Sequence, residues 1–217
     1  MDEVEGSSAE EAKTPSRERI LLAAKQLFAR DGYENTSTVA IAREAGTSES
    51  QLVKHFGSKQ GLLSAILDRG WSNIIARVQA LQGGAALPDH LLAMLEAVVI
   101  EMESDQELKE LMSLEARRVR KDSRDVLMSR GYRQFSTLFD KVLGDMRRHE
   151  QIRSDLNLEA VRAALIGMVE SLLRDQIVAR RSELRADYSF QDVKQLLEVL
   201  IVALQGEAVQ PLKYARG

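Results

Sequence analysis

Thr36, Ser37, Thr38, Ser48, Glu49, Ser50, Gln51, Lys54, His55 and Lys59 gather hydroxyl, carboxylate, amide, imidazole and ammonium groups into one short stretch. These types suit DNA. Glutamine pairs bidentately with adenine, and lysine reaches guanine or a phosphate. Hydroxyls and free backbone N–H groups at a helix start hold phosphate, which makes Thr36, Ser37, Thr38 and Lys59 the expected phosphate contacts. Glu49 meets a negative surface less easily; it accepts from cytosine N4 or merely favours a helix N-terminus. His55 donates to phosphate or packs beside Phe56.

Such groups must be carried on short, well-oriented elements. Residues 16–60 read as three helices. Ser16 caps the first, whose stripe is Ile20, Ala24, Leu27 and Phe28, and Asp31-Gly32 ends it. Thr36, Ser37 and Thr38 supply the next N-cap, and Ile41, Ala42 and Ala45 give the second helix a closely packing face. Gly46 suits a left-handed turn, and Ser48 caps a third helix with Leu52 and Phe56 pointing inward. A helix, a glycine turn and a second short helix can present side chains to the major groove. Ser58 caps a long fourth helix running to about Leu81.

The totals agree with this placement. The 217 residues carry a net charge of −3, yet the charge is uneven. Residues 1–12 hold five acidic groups, whereas residues 16–81 hold nine Lys/Arg against six Asp/Glu. A modestly basic head on a neutral-to-acidic body is the pattern of a DNA reader. Apolar residues make up 44% and aromatics 5% of the chain, strand-like alternation is absent, and the three prolines are expected outside helices. The expected class is all-α, with about nine helices. No cysteine occurs, so disulfides, thiol nucleophiles and Cys-based zinc sites are excluded. The three histidines, 55, 90 and 149, do not cluster, and no nucleophile–base pair or phosphate loop is evident. No metal, cofactor or enzymatic activity is expected. Without a membrane-length apolar run or a signal-peptide core, the expectation is a soluble cytoplasmic protein.

The organisation read from the sequence is a flexible acidic tail over 1–15, a DNA-binding domain over 16–60 continuing into a linking helix to about 81, and a regulatory and dimerisation domain over 82–217. The stretch from Gln82 to Pro88 is the linker candidate, followed by helices near 89–103, 105–119, 123–149, 157–181 and 190–206. The eighth helix carries Leu158, Val161, Leu165, Met168 and Leu172, and the ninth carries Val193, Leu196, Leu197, Leu200, Ile201 and Leu204. That is more apolar face than one packing partner needs. Tyr132, Phe135, Phe139 and Val142 share a stripe on the seventh helix, with Met168 and Leu172 expected to face them. Glu115 falls on the stripe of Leu108, Met112 and Val119, where a carboxylate needs a partner: Arg118, Arg174, or a ligand. Trp71 is placed near the junction of head and body.

In order along the head stand an Ala-Phe first helix ending in Asp31-Gly32-Tyr33, the Thr36-Ser37 start, Ile41-Ala42 through Ala45-Gly46, and His55-Phe56-x-Ser58-Lys59 leading to Leu62-Leu63. With this spacing the stretch resembles the N-terminal domain of the TetR family of bacterial transcriptional regulators. The resemblance implies a helix-turn-helix head on a helical body, a homodimer paired through its last two helices, and a palindromic double-stranded operator. It also implies a body pocket for a small-molecule inducer, of unknown identity, that releases a repressor from DNA. Candidate lining residues are Trp71, Glu115, Tyr132, Phe135, Phe139, Met168 and Leu172. In the family pattern His55 faces the DNA backbone. The family usually has tyrosine, a phosphate contact, where this chain has Val53; Val53 can instead touch a thymine methyl. That missing contact supports an alternative: the same fold acting mainly through a protein partner, with weak DNA binding.

Overall fold

The computed structural model describes residues 15–80, 86–113, 115, 128–183 and 185–206. Among them are nine helices and no strand: α1 (Ser16–Asp31), α2 (Thr38–Glu44), α3 (Glu49–Phe56), α4 (Lys59–Ala80), α5 (Leu87–Ser104), α6 (Gln106–Met112), α7 (Arg130–Arg148), α8 (Leu158–Arg181) and α9 (Phe190–Gln205). The chain is all-α, as its composition implies. Residues 1–14 of the expected tail, residues 81–85 (of which 82–85 belong to the expected linker) and residues 116–127, with parts of two expected helices, fall outside the described residues.

Two compact units divide the fold. The first takes the described residues up to Asn73 and from Glu101 to Arg133; the second takes Ile74–Ile100 and those from Gln134 onward. In the first, α1 packs on α2, α3 and α6. Ile20, Ala24, Leu27 and Phe28 of α1 are buried at helical spacing, together with Ile41 and Ala42 of α2 and Leu52 of α3. Each large side chain so buried contributes about 1.5–3 kcal/mol. In the second unit, Phe135, Phe139 and Leu143 of α7 are fully enclosed, and α8 and α9 bury Val169, Leu173, Leu197 and Ile201.

Caps fix the helix starts. Ser37 Oγ accepts from Ala40 N, Ser48 Oγ from Gln51 N, Asn157 Oδ1 from Ala160 N, and Ser189 and Asp192 form a reciprocal capping box. At Gly46 the backbone enters the left-handed region, φ 58°, between α2 and α3. A side chain there would be strained.

Several expectations are corrected. Ser16 does not cap α1; Pro15 holds the N-cap position without a side-chain bond, and the Ser16 hydroxyl is turned to His55. Pro88 lies inside α5 rather than before it, which its second position allows because first-turn N–H groups have no intrahelical partner. The sixth helix ends at Met112, so Glu115 sits in a turn. On α8 the buried line is Val161, Leu165, Ile166, Val169 and Leu173, leaving Met168 and Leu172 half-buried. Two adjacent edges of that helix are apolar, and periodicity alone did not choose between them.

Gly131, in the first turn of α7, permits a close backbone approach: a Cβ there would lie 2.4 Å from the Trp71 Cβ. Since that neighbour is fixed to its own backbone, Gly131→Ala forces the first turn of α7 off Trp71. Overpacking of this kind costs about 1–3 kcal/mol, only partly offset by the roughly 1 kcal/mol alanine gains in a helix. Gly131→Ala is expected to lower the melting temperature of the purified protein; an unchanged or higher value in calorimetry removes this constraint.

Candidate nucleic-acid interface

The eight-residue α3 turns one side inward through Leu52 and leaves Glu49, Ser50, Gln51, Val53, Lys54 and His55 exposed. Around Glu49–Phe56, a residue and its neighbour three or four positions on share a side. Glu49 with Val53 therefore marks one flank and Gln51 with His55 the other, with Ser50 and Lys54 between them on the outermost ridge.

Both flanks are tied down. On one, Thr38 Oγ1 donates to Glu49 Oε1 in a short hydrogen bond, joining the starts of α2 and α3. Glu49 thus has a protein donor and sits in the first turn of α3, where the helix dipole favours a negative charge. On the other flank, Ser16 Oγ and His55 Nε2 are 3.1 Å apart, and the Arg17 guanidinium stands 5.3 Å from the Phe56 ring centroid. Arg19 Nε donates to the carbonyl of Ala45, at the turn itself, at 3.1 Å. Ser48 Oγ, besides capping, lies 2.9 Å from Ser50 Oγ.

Two expected phosphate ligands are engaged elsewhere. Thr36 is buried, and its hydroxyl proton points to the carbonyls of Leu27 and Gly32 at 3.2 and 2.8 Å. The Lys59 ammonium donates to the carbonyls of Tyr33, Glu34 and Thr36 at 2.8, 3.3 and 3.0 Å and stands 4.4 Å from the Tyr33 ring centroid. Three N–H groups meet three carbonyls, so in this structure Lys59 holds the loop between α1 and α2. Ser37, by contrast, is exposed at the start of α2. Sequence reading takes Ser16 only as a cap and misses Arg17 and Arg19, because their partners lie 26 to 39 residues away and no periodicity marks them.

The residues expected to line a ligand pocket divide between the units. Trp71 is buried in the first, with Tyr132 edge-on at 5.3 Å. Glu115 is also buried there, but its partners are not arginines. Trp71 Nε1 donates to Oε2 and the Ser129 backbone N–H to Oε1, each at 2.7 Å. Of the two expected partners, Arg118 lies outside the described residues and Arg174 belongs to the second unit. Neutral donors do not repay desolvation of the charge, so burial raises the Glu115 carboxyl above its ordinary pKa, with hydrogen bonds from the Ser129 hydroxyl, the Trp71 indole and the Ser129 backbone N–H opposing. Phe135 and Phe139 are fully buried in the second unit, their centroids 6.0 Å apart. A cavity of about 890 Å³ in the first unit is lined by α1, the Ala45-Gly46 turn, α4 and residues around Asp105, and by none of those seven.

Comparison with known proteins bears on what this head is. The family model described as "Bacterial regulatory proteins, tetR family" matches residues 20–66, from the core of α1 to the start of α4. Residues 20–66 therefore carry the DNA-binding head of that family. The HTH-type transcriptional regulator YvkB of Bacillus subtilis (strain 168) is 44% identical over 59 residues, which are 27% of this chain and 31% of that protein. The HTH-type transcriptional regulator UidR of Escherichia coli (strain K12) is 22% identical over 161 residues, 74% of this chain and 81% of its own length. The crystal structure of FadR from Bacillus subtilis, in complex with stearoyl-CoA, superimposes with a TM-score of 0.71 at 17% identity, covering 85% of this chain and 97% of that one. At that identity the likeness establishes the fold. The matched head is similar to the DNA-binding helix-turn-helix of transcriptional regulators. Among its described residues no helix is long and apolar enough to cross a membrane.

Two outcomes follow for the TetR-family head and its neighbour network. Replacing Lys59 by methionine strands three carbonyls, and hydrogen bonds to a charged donor contribute about 1.5–3 kcal/mol. The DNA-free Lys59→Met protein should therefore melt at a lower temperature than the parent; a purely phosphate-binding lysine would leave that temperature unchanged. For Glu115, whose folded pKa is raised, the stabilising contribution is full below the ordinary value of 4.5 and is lost as pH rises through the folded value. The stability difference between the parent and Glu115→Gln should then shift against the parent as pH increases from about 4. A difference that is flat, or moves the other way, in parallel denaturant titrations would overturn the assignment.

Proposed function

We propose that the protein is a cytoplasmic repressor that binds a palindromic operator as a homodimer and is released by a small-molecule inducer. In this reading residues 16–60 read DNA and 82–217 regulate and dimerise. Bases are met by Gln51, Lys54 and Val53, and phosphates by Ser37, Ser50 and the N–H groups at the starts of α2 and α3. Ser48, Thr38, Glu49, His55, Thr36 and Lys59 hold those groups in place.

The observation that carries the dimer is the second apolar side of α9. Val193, Leu197 and Ile201 are buried, while Leu196, Val199 and Val202 on the other side are 40%, 60% and 66% exposed. On α8, Val178 is 40% exposed and Ala163, Ala164 and Gly167 are open. Covering such side chains stabilises by about 1.5–3 kcal/mol for each one fully buried. A two-fold copy supplies an identical apolar face, and two-fold symmetry doubles the bases read. An inducer acts by favouring a dimer whose α3 helices are wrongly spaced for successive major grooves, about 34–36 Å apart in the binding form. The stearoyl-CoA bound by the FadR relative supports an inducer with a large apolar part.

Selection of duplexes from a random pool, at two salt concentrations, tests the reading. An enriched palindrome, bound more weakly at the higher salt, is expected. Val202→Glu should yield monomers in analytical ultracentrifugation and lose most operator affinity. No enrichment, or a Val202→Glu dimer with unchanged affinity, sinks the proposal.

A further inference from the structure

Resting on the DNA-reading assignment above, we propose that Val39 and Val53 form an apolar pair that recognises thymine 5-methyl groups, so that the operator half-site is specified partly by methyls rather than by hydrogen bonds alone. Val39, on α2, is 61% exposed and Val53, on α3, is 48% exposed. A single exposed valine needs no explanation. The hydrogen bond between their neighbours points to a shared flank. Val53 lies one turn beyond Glu49, on the same flank of α3. The Thr38–Glu49 hydrogen bond draws the start of α2 to that flank, and Val39 is the residue after Thr38. The opposite flank, with Gln51 and His55, is the one tied to Ser16.

Chemistry selects the partner. The major-groove edges of guanine, cytosine and adenine offer donors and acceptors only, whereas thymine adds a methyl group at C5. A valine without a hydrogen-bonding atom gains from that group and loses against the polar edges it would desolvate. The neighbouring hydroxyls do not take over the role, because Thr38 is spent on Glu49 and Thr36 is buried.

The test uses the full-length protein and the duplex obtained by selection. Each thymine of a half-site is replaced singly by deoxyuridine, which removes only the methyl, and affinity is read by fluorescence anisotropy. Burial of one methyl corresponds to about a three- to fivefold change in Kd. Such a loss is expected at one or two thymines per half-site. Val53→Ala should abolish the sensitivity at one position and Val39→Ala at another. Both sites are exposed, so the variants should fold; should either alanine variant melt early, the Val→Ser change, which also removes both methyls, reads the same position. Tight operator binding that no deoxyuridine alters overturns this proposal and leaves the DNA-reading assignment standing. Methyl sensitivity that survives both valine substitutions also overturns it. If no sequence is enriched at all, the assignment itself fails, and this proposal with it.

Discussion

A helix of eight residues is not stable on its own in water, and α3 anchors itself with one fully buried side chain, Leu52. That constraint follows from its task, because a helix that reads a groove must keep most of its surface free. The shortfall is met from outside. Ser48 and Gly46 fix its start, Thr38 holds Glu49 on one flank, and Ser16 and Arg17 hold His55 and Phe56 on the other. The ties are modest: a neutral hydrogen bond contributes about 0.5–1.5 kcal/mol and one to a charged group about 1.5–3 kcal/mol. Together they orient an element that cannot orient itself.

The same constraint explains why Thr36 and Lys59 are not on the surface expected to meet phosphate. The loop from Gly32 to Ser37 joins α1 to α2, and its carbonyls have no helix or sheet to accept them. A lysine from the start of α4 satisfies three and a threonine hydroxyl turns toward that of Gly32, without adding bulk to the reading surface. DNA-binding residues and residues that hold the binding surface share one composition, rich in hydroxyls and cations. Only geometry separates them.

This is also where the sequence was legible and where it was not. The caps at Ser37 and Ser48, the left-handed Gly46, and the stripe from Ile20 to Phe28 act within one or two turns, and local pattern reveals them. Partners separated by long stretches left no periodic trace. Glu115 reads in sequence as a carboxylate in need of a charged partner, yet its donors are an indole 44 residues away and the hydroxyl and backbone N–H of Ser129. No pattern search names a backbone N–H. Ser16 followed the ordinary rule for a cap and was turned to His55 instead, since Pro15 already supplied the extended residue before the helix.

Periodicity was least informative where a helix is apolar on two sides. In α9, Val193, Leu197 and Ile201 obey the helical period, and so do Leu196, Val199 and Ala203 one position earlier or two later. A hydrophobic stripe reports that a surface will be removed from water, not which molecule removes it. Burial in a single chain makes that distinction: one stripe is closed and the other stands open. On α3 the inequality runs the other way. There the exposed valine lies among polar groups on a narrow reading face, with far too little apolar area to hold a second protein domain. The same observation, an aliphatic side chain in water, thus carries different meanings in the two units. Broad and continuous on α9, it offers a face to a matching copy; confined to a pair of valines among hydrogen-bonding groups, it offers room only for groups as small as a methyl.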